Sequence, residues 1–439
     1  MHIYQSNCRT NTHINIQTKT ALYRFKSVLL IAALSAASTA VGLSASAHTH
    51  KSSVNNNLPK PVIADIGILE KSGVEILTAD QELGLGYGIL TNEQEIRLNE
   101  LAHAEGKCGG FEMLPFGVVD ANHPLISDVF GQIREQNAKN RRFHPTTESF
   151  NGLEGKPEIA QALEEVNTAN MRATVEFLAS FPNRDYRDEQ PNRAIDAFKA
   201  RIEEMIKGST LPVTVESVAH QRIKQNSLKV RIKGSQRPNE IIVLGGHLDS
   251  INSGGGDAPG ADDNASGSAN LLEALRILLS KNQPERTLEF FWYAGEEGGL
   301  IGSAEIAESY KTQGAQVVAV LQLDMTLFPG TGAMTLGSMT DYTSSWLRSY
   351  LETINGLYIK AGIVTDRCGY GCSDHASWYR QGYPTLMPFE STMRARNRAI
   401  HSASDVLDER LNFEHSAVFT KIAVVMAMDL GNSTLKEPK

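Results

Sequence analysis

Five polar clusters in the second half of the chain carry residue types suited to metal chemistry: His247-x-Asp249, Asp262-Asp263, Glu296-Glu297, Asp324 and His401. Two imidazoles and several carboxylates are the donors zinc takes. A carboxylate has two oxygens, so one aspartate can serve two cations. The inventory fits a pair of ions ~3.5–4 Å apart, as in two-metal hydrolases. We read His247 and Asp262 as ligands, with their partners further along the chain. Each cluster alone has a plainer explanation. A lone His247 is a satisfied core histidine, Asp249 caps a turn, and Asp262-Asp263-Asn264 caps the next helix. Glu296-Glu297 would be a solvated pair, but it follows the apolar run Phe290-Phe291-Trp292-Tyr293. Adjacent glutamates leaving a buried strand repel each other unless cations balance them.

These clusters need elements that bring them together. Ile241–Leu244 is a short apolar, β-branched run that suits a buried strand ending at the glycines before His247. Leu211–Ala219 and Ser227–Ile232 alternate like strands, and Thr287–Ala294, Val317–Leu323 and Thr385–Phe389 add three more. Helical spacing marks Ile159–Val166, Met171–Leu178, Ala194–Lys207, Ser266–Ser280 and Ala417–Leu430. Strands alternating with helices predict an α/β fold with a mainly parallel sheet covered on both faces. Such a sheet gathers its strand ends along one edge, where the clusters can meet.

The chain of 439 residues has ordinary hydrophobic (41%) and charged (21%) fractions, a formal charge of -8 and a pI near 5.9. That balance, with no Lys/Arg stripe, argues against a nucleic-acid partner. Arg24 and Lys26 precede the apolar stretch Val28–Leu43, and Ala45-Ser46-Ala47 fits a small-x-small cleavage site. Residues 1–47 therefore read as a secretory signal with a long polar leader. Their densest apolar part is shorter than the ~20 residues of a spanning helix. We expect a secreted or periplasmic protein, cleaved near Ala47, with no stable membrane anchor.

Cys8 lies ahead of the signal and Cys108 stands alone, while Cys368 and Cys372 form a C-x3-C pair. In an oxidising compartment that pair most simply forms a disulfide. Residues 48–135 differ in character from the α/β pattern that begins near Gln136. Thr91–Glu105 reads as a helix opened by a Thr91/Gln94 capping box. The segment looks too short and polar to bury a large core alone. Composition leaves open a pro-segment or a permanent domain.

At GGHLDS, PGADDNASG, AGEEGGLIGS, LQLDMT, CGYGCSDHASW and MPFES, followed by the His401 segment, the chain resembles the M28 family of zinc aminopeptidases, the secreted bacterial leucyl type above all. The resemblance covers roughly residues 159–431. It implies a mixed central sheet of the zinc-peptidase (phosphorylase/hydrolase-like) kind, with the catalytic domain at 136–433 and a tail at 434–439. Two zinc ions per subunit are implied, with Asp262 bridging them. His247 and Asp324 would complete one ion, and Glu297 and His401 the other. Glu296 would be the general base, Asp249 would orient His247, and Tyr370 would bind the oxyanion. Met325, Tyr370, Met387, Phe389 and Ile400 would line an apolar side-chain pocket. The Asp262–Asp263 peptide is expected to be cis. Secreted family members are commonly made with a pro-segment, which favours that reading of 48–135.

The implied activity is removal of an apolar, Leu-like first residue from peptide or protein amino termini by a monomeric, exported enzyme. Two other classes compete. An M28-like carboxypeptidase would need arginines aimed at a terminal carboxylate, for which Arg394, Arg396 and Arg398 are the candidates, and a glutaminyl cyclase shares several ligands. The third class is a metal-free binding protein.

Overall fold

The computed structural model describes residues 59–104, 111–114, 117–142 and 154–435. The expected signal over residues 1–47, with Cys8, and Cys108 lie outside them.

A small antiparallel layer comes first. It contains β1 (Lys60–Asp65), α1 (Ile66–Lys71), β2 (Thr78–Asp80), β3 (Leu85–Leu90), α2 (Asn92–Ala104), β4 (Phe111–Met113) and α3 (Pro124–Arg142). Its four strands run in the order β2-β3-β1-β4. The capping box of α2 forms as expected: Gln94 N–H donates to Thr91 Oγ1 (3.2 Å) and Thr91 N–H to Gln94 Oε1 (2.9 Å). The boundary expected after residue 135 falls inside α3, whose hydrogen-bonded turns run on to Arg142.

The larger α/β body is next. Three helices, α4 (Pro157–Leu163), α5 (Thr168–Ala179) and α6 (Arg193–Ile206), lead into β5 (Val213–Val218), β6 (Ser227–Ile232) and β7 (Arg237–His247). Then come α7 (Ala265–Leu278), β8 (Arg286–Tyr293), α8 (Ile301–Thr312), β9 (Gln316–Gln322) and β10 (Thr335–Met339). The chain ends with α9 (Ser345–Ile354), β11 (Gly362–Asp366), α10 (His375–Arg380), β12 (Thr385–Leu386), β13 (Pro388–Phe389) and α11 (Phe413–Gly431).

The central sheet has the order β12-β9-β7-β8-β6-β5. β12, β9, β7 and β8 pair in parallel, whereas β6 joins β8 and β5 joins β6 antiparallel. The sheet is thus mixed. Alternate residues of β7 face opposite sides, as the pleat requires. Ile242 and Leu244 enter the core shared with α5, α7 and α11, while Ile241 and Val243 pack with Ile306 of α8 and Trp378 of α10. Both faces are covered, which explains why the strand reads as an unbroken apolar run.

The single strand expected over Thr385–Phe389 is divided at Met387. β12 pairs with β9, and β13 pairs with β10 in a separate sheet of order β11-β10-β13. The break carries Met387 and Phe389 to the edge of the site.

Candidate metal centre

His247 is the last residue of β7, Glu296-Glu297 lie in the turn after β8, and Asp324 lies just beyond β9. All three leave parallel strands at their carboxyl ends, at adjacent positions in the sheet. The loop from β7 to α7 brings Asp263 to the same place, and the irregular segment after β13 brings His401. His401 and Met325 both hold left-handed backbone, with φ of 56° each, a conformation uncommon outside glycine and concentrated at functional sites.

The side chains form two groups that share one member. His247, Asp263 and Asp324 make one, Asp263, Glu297 and His401 the other, with ligand atoms in each group within 4.8 Å of one another. Asp263 Oδ1 lies 3.0 Å from His247 Nε2, and Oδ2 lies 3.0 Å from His401 Nε2. Asp324 Oδ1 is 3.4 Å from His247 Nε2, and Glu297 Oε2 is 3.3 Å from His401 Nε2. Two imidazoles therefore face opposite oxygens of one carboxylate.

That carboxylate belongs to Asp263, which corrects the expectation for Asp262. Asp262 turns the other way. Its Oδ1 accepts from Leu327 N–H (3.0 Å), its Oδ2 from Asn397 Nδ2 (3.0 Å), and it lies against the carboxyl of Glu390. Adjacent residues in a loop have no periodicity to tell which one faces the site. The cis peptide shifts by one position too, to Asp263–Asn264.

Asp249 grips the turn of the two glutamates. Its carboxylate accepts from the amides of Glu296 (3.1 Å) and Glu297 (3.2 Å). His247 Nδ1 lies 3.1 Å from the Asp249 backbone oxygen and 3.5 Å from its carboxylate. The main chain of Asp249 is thus the nearer partner of the imidazole, because the carboxylate is occupied by the two amides.

The electrostatics are those of a crowded, dry site. Burial pushes the Glu296 and Glu297 carboxyls well above their usual range, helped by neighbouring carboxylates. Burial also pushes Asp263 up, but hydrogen bonds from His247 and His401 outweigh it and hold Asp263 well below that range. Burial alone would lower His247, yet Asp324 and Glu296 raise it well above 6.5. Neither side-chain oxygen of Glu296 meets a hydrogen-bond donor among the described residues. Cations in place of shared protons would relieve this repulsion. The donor set, two imidazole nitrogens and three carboxylates with one shared, fits zinc.

Several further residues support the loop around Asp263. Asp405 accepts from the amides of Asp262 and Asp263 (both 3.0 Å), and burial pushes its carboxyl up to about 8. Asn264 accepts from Met325 N–H (3.2 Å) and donates to Leu323 O (3.0 Å), tying the loop to the end of β9. Arg184, fully buried, donates to the carbonyls of Leu248, Leu178, Pro259 and Gly260. Gly260 has φ +52°, and a Cβ there would lie 2.4 Å from Asp263 O, so only glycine fits this turn. In sequence, Arg184 and Asp405 look like solvated loop charges.

Beside Asp324 a small cavity is lined by Met325, Tyr370, Cys372, Met387, Phe389, Met393 and Arg396. Ile400 belongs to the same apolar cluster. Cys368 and Cys372 are bonded, with Cα atoms 6.1 Å apart, and close the loop that carries Tyr370.

The model of peptidase family M28 matches residues 228–427. A probable leucine aminopeptidase of Arthroderma benhamiae is 36% identical over 299 residues, 66% of this chain and 81% of the relative. The chain belongs to peptidase family M28. Within that family it is similar to a probable aminopeptidase of Saccharomyces cerevisiae, 34% identical over 67% of this chain and 82% of the relative. The crystal structure of the LapA aminopeptidase of Legionella pneumophila matches with a TM-score of 0.71 at 29% identity, covering 86% of this chain and 99% of that one. So large a share takes in the antiparallel layer as well as the α/β body. LapB of the same organism, at 22% identity and a TM-score of 0.69, shares the fold. The protein is accordingly a metallo-aminopeptidase of the M28 family, with zinc the family's metal.

Proposed function

We propose that the protein removes an apolar, Leu-like first residue from peptides, using two zinc ions and Glu296 as general base. The observation that carries this reading is the Asp263 carboxylate facing His247 on one side and His401 on the other. His247, Asp263 and Asp324 would hold one ion, and Asp263, Glu297 and His401 the second. When bound, zinc supplies Lewis-acid polarisation of the scissile carbonyl and a water acidified to a pKa of ~7.

Glu296 would take a proton from the attacking water and return it to the leaving amine. Its buried oxygens meet no donor among the described residues, which leaves both of them open to a water proton. Tyr370, on the pocket wall, donates its hydroxyl to the developing oxyanion. The substrate's free α-amine would be anchored on one ion, which would restrict cutting to the first residue. Met325, Met387, Phe389 and Ile400 receive the first side chain. An apolar slot separates neighbouring aliphatic side chains by only ~1–3 kcal/mol per methylene, so Leu, Met and Phe should all be accepted.

Of the three arginines a carboxypeptidase would recruit, Arg394 and Arg398 are exposed. Arg396 borders the cavity, and its Nη1 donates to the carbonyl of Met393 (2.6 Å). No paired clamp for a terminal carboxylate is built among the described residues. We further propose that the enzyme is exported, with cleavage near Ala47, and works as a monomer.

The test is hydrolysis of Leu-p-nitroanilide by the full chain, with and without a chelator, beside a Gln-peptide cyclisation assay and an elemental analysis. The expected result is chelator-sensitive hydrolysis, no cyclisation and two zinc ions per chain. Cyclisation without hydrolysis would overturn the proposal.

A further inference from the structure

The antiparallel layer touches the active-site turn, and it does so away from the substrate cavity. Asn99, on α2, is 1% exposed and donates from Nδ2 to the main-chain oxygen of Glu297 at 2.8 Å. Met113, on β4, directs its N–H to the carbonyl of Gly299 at 3.5 Å. Phe111 covers Gly299 so closely that a Cβ there would lie 2.7 Å from its ring. Glu112, also on β4, pairs with Arg380 of α10, both side chains largely buried. Leu300 joins the layer's own apolar cluster with Tyr87, Ile126 and Phe130.

The turn from Glu296 to Leu300 is therefore held from two sides. Asp249 of the α/β body holds the amides of Glu296 and Glu297, and Asn99 of the layer holds the carbonyl of Glu297. The residues lining the cavity beside Asp324 all come from the α/β body. A segment built to block that cavity would put its side chains there, whereas this one presents a hydrogen-bond donor and an aromatic ring to the main chain of the turn. Removing the layer would strip the Glu297 carbonyl and the Arg380 guanidinium of these partners and uncover the turn at Gly299.

We propose that the layer is a retained working part of the enzyme and that Asn99 is a positioning residue for Glu296 and Glu297. The inference rests on the reading of Glu296 as base and Glu297 as metal ligand. Asn99 touches neither substrate nor metal and acts through the peptide it holds. Outer partners of metal ligands are typically worth ~10–100-fold in affinity or activity.

The test uses enzyme purified from expression of the full chain. Intact mass should show that the active species still contains residues 60–142. Asn99→Asp keeps the size of the side chain and places an acceptor against the carbonyl, and Asn99→Ala removes the bond without adding charge. Both should lower kcat on Leu-p-nitroanilide, by about tenfold or more for Asn99→Asp, with KM within about twofold. Both should also lose zinc to a competing chelator about tenfold faster. Leu98→Ala, in the same helix but turned into the layer's core, should lower the melting temperature and leave kcat unchanged. An active species beginning after Arg142 with full kcat would overturn the proposal. So would folded Asn99 variants that retain both wild-type kcat and wild-type zinc retention. Zinc retention needs no substrate, so it decides the role of Asn99 even if the wild type fails to cleave Leu-p-nitroanilide, a result that would count against the proposed function instead.

Discussion

The two ends of the central sheet follow opposite rules. At the amino ends of the strands, Arg286 is buried with its bonds satisfied: Nε donates to Glu240 (2.6 Å), and Nη1 donates to the carbonyls of Leu430 (2.7 Å) and Leu435 (2.9 Å). At the carboxyl ends, four carboxylates and two imidazoles share one dry space, and Glu296 has no donor for either oxygen among the described residues. One end ties the closing segment to the sheet. The other keeps mutually repelling groups in place, and stability is lower there than an apolar rim would give. Such local conflict is what functional sites show.

The largest expected effect separates two neighbours. Asp263→Asn should lose both metal ions and all measurable turnover, whereas Asp262→Asn should keep its zinc; elemental analysis after dialysis checks both. If Asp262→Asn lost the metal and Asp263→Asn did not, the shared carboxylate would be misassigned. Next, Glu296→Gln should keep zinc but lower turnover by about 10²–10⁴. Its melting temperature should hold or rise, because one of the crowded charges is gone. At the opposite end, Arg286→Met should cost about 2–3 kcal/mol in urea unfolding, below the ~3–5 of a fully buried pair because Glu240 remains partly wet, with kcat unchanged.

The smallest effect lies on α8. Burial raises the Glu305 carboxyl, but hydrogen bonds from His220 and the Gln221 amide, together with Arg222, bring it below its ordinary value of 4.5. The folded value is thus depressed. The stability it contributes is present above the unfolded value and is lost as pH falls through the folded one. Glu305→Gln should cost about 1 kcal/mol at pH 7, with the difference closing below pH 4.5 in unfolding curves taken across that range.

How much of this was legible in the sequence depended on periodicity. β6 falls on the expected Ser227–Ile232, and β7, β8 and β9 end within one residue of their apolar runs or continue them to the site residue, because strands buried on both faces are written as apolar blocks. β10 and β11 were not anticipated. β11, GIVTD, is largely open to solvent, and β10, TLGSM, is buried but mixes small and polar residues with no apolar run; both lie in a separate three-stranded sheet. The clusters at the strand ends were legible because parallel strands must deliver them to one edge. The choice between Asp262 and Asp263 was not, because it depends on how a turn is rotated by Asp405 and Asn264. The contribution of Asn99 was hidden too: a single polar residue in a helix of mixed composition looks the same whether it faces water or a carbonyl of another element.

Arg184 carries one further consequence. Burial lowers it only to about 10, so it stays charged at neutral pH, and it spends that charge on the carbonyls of Leu248, Pro259 and Gly260. Those bonds run to main-chain carbonyls and to none of the rim side chains. The socket is therefore shaped by an internal clamp rather than by its cargo. Stripped of zinc, the loop before Asp263 should keep its course, and adding the metal back should restore the enzyme on the timescale of ion capture, with no refolding in between.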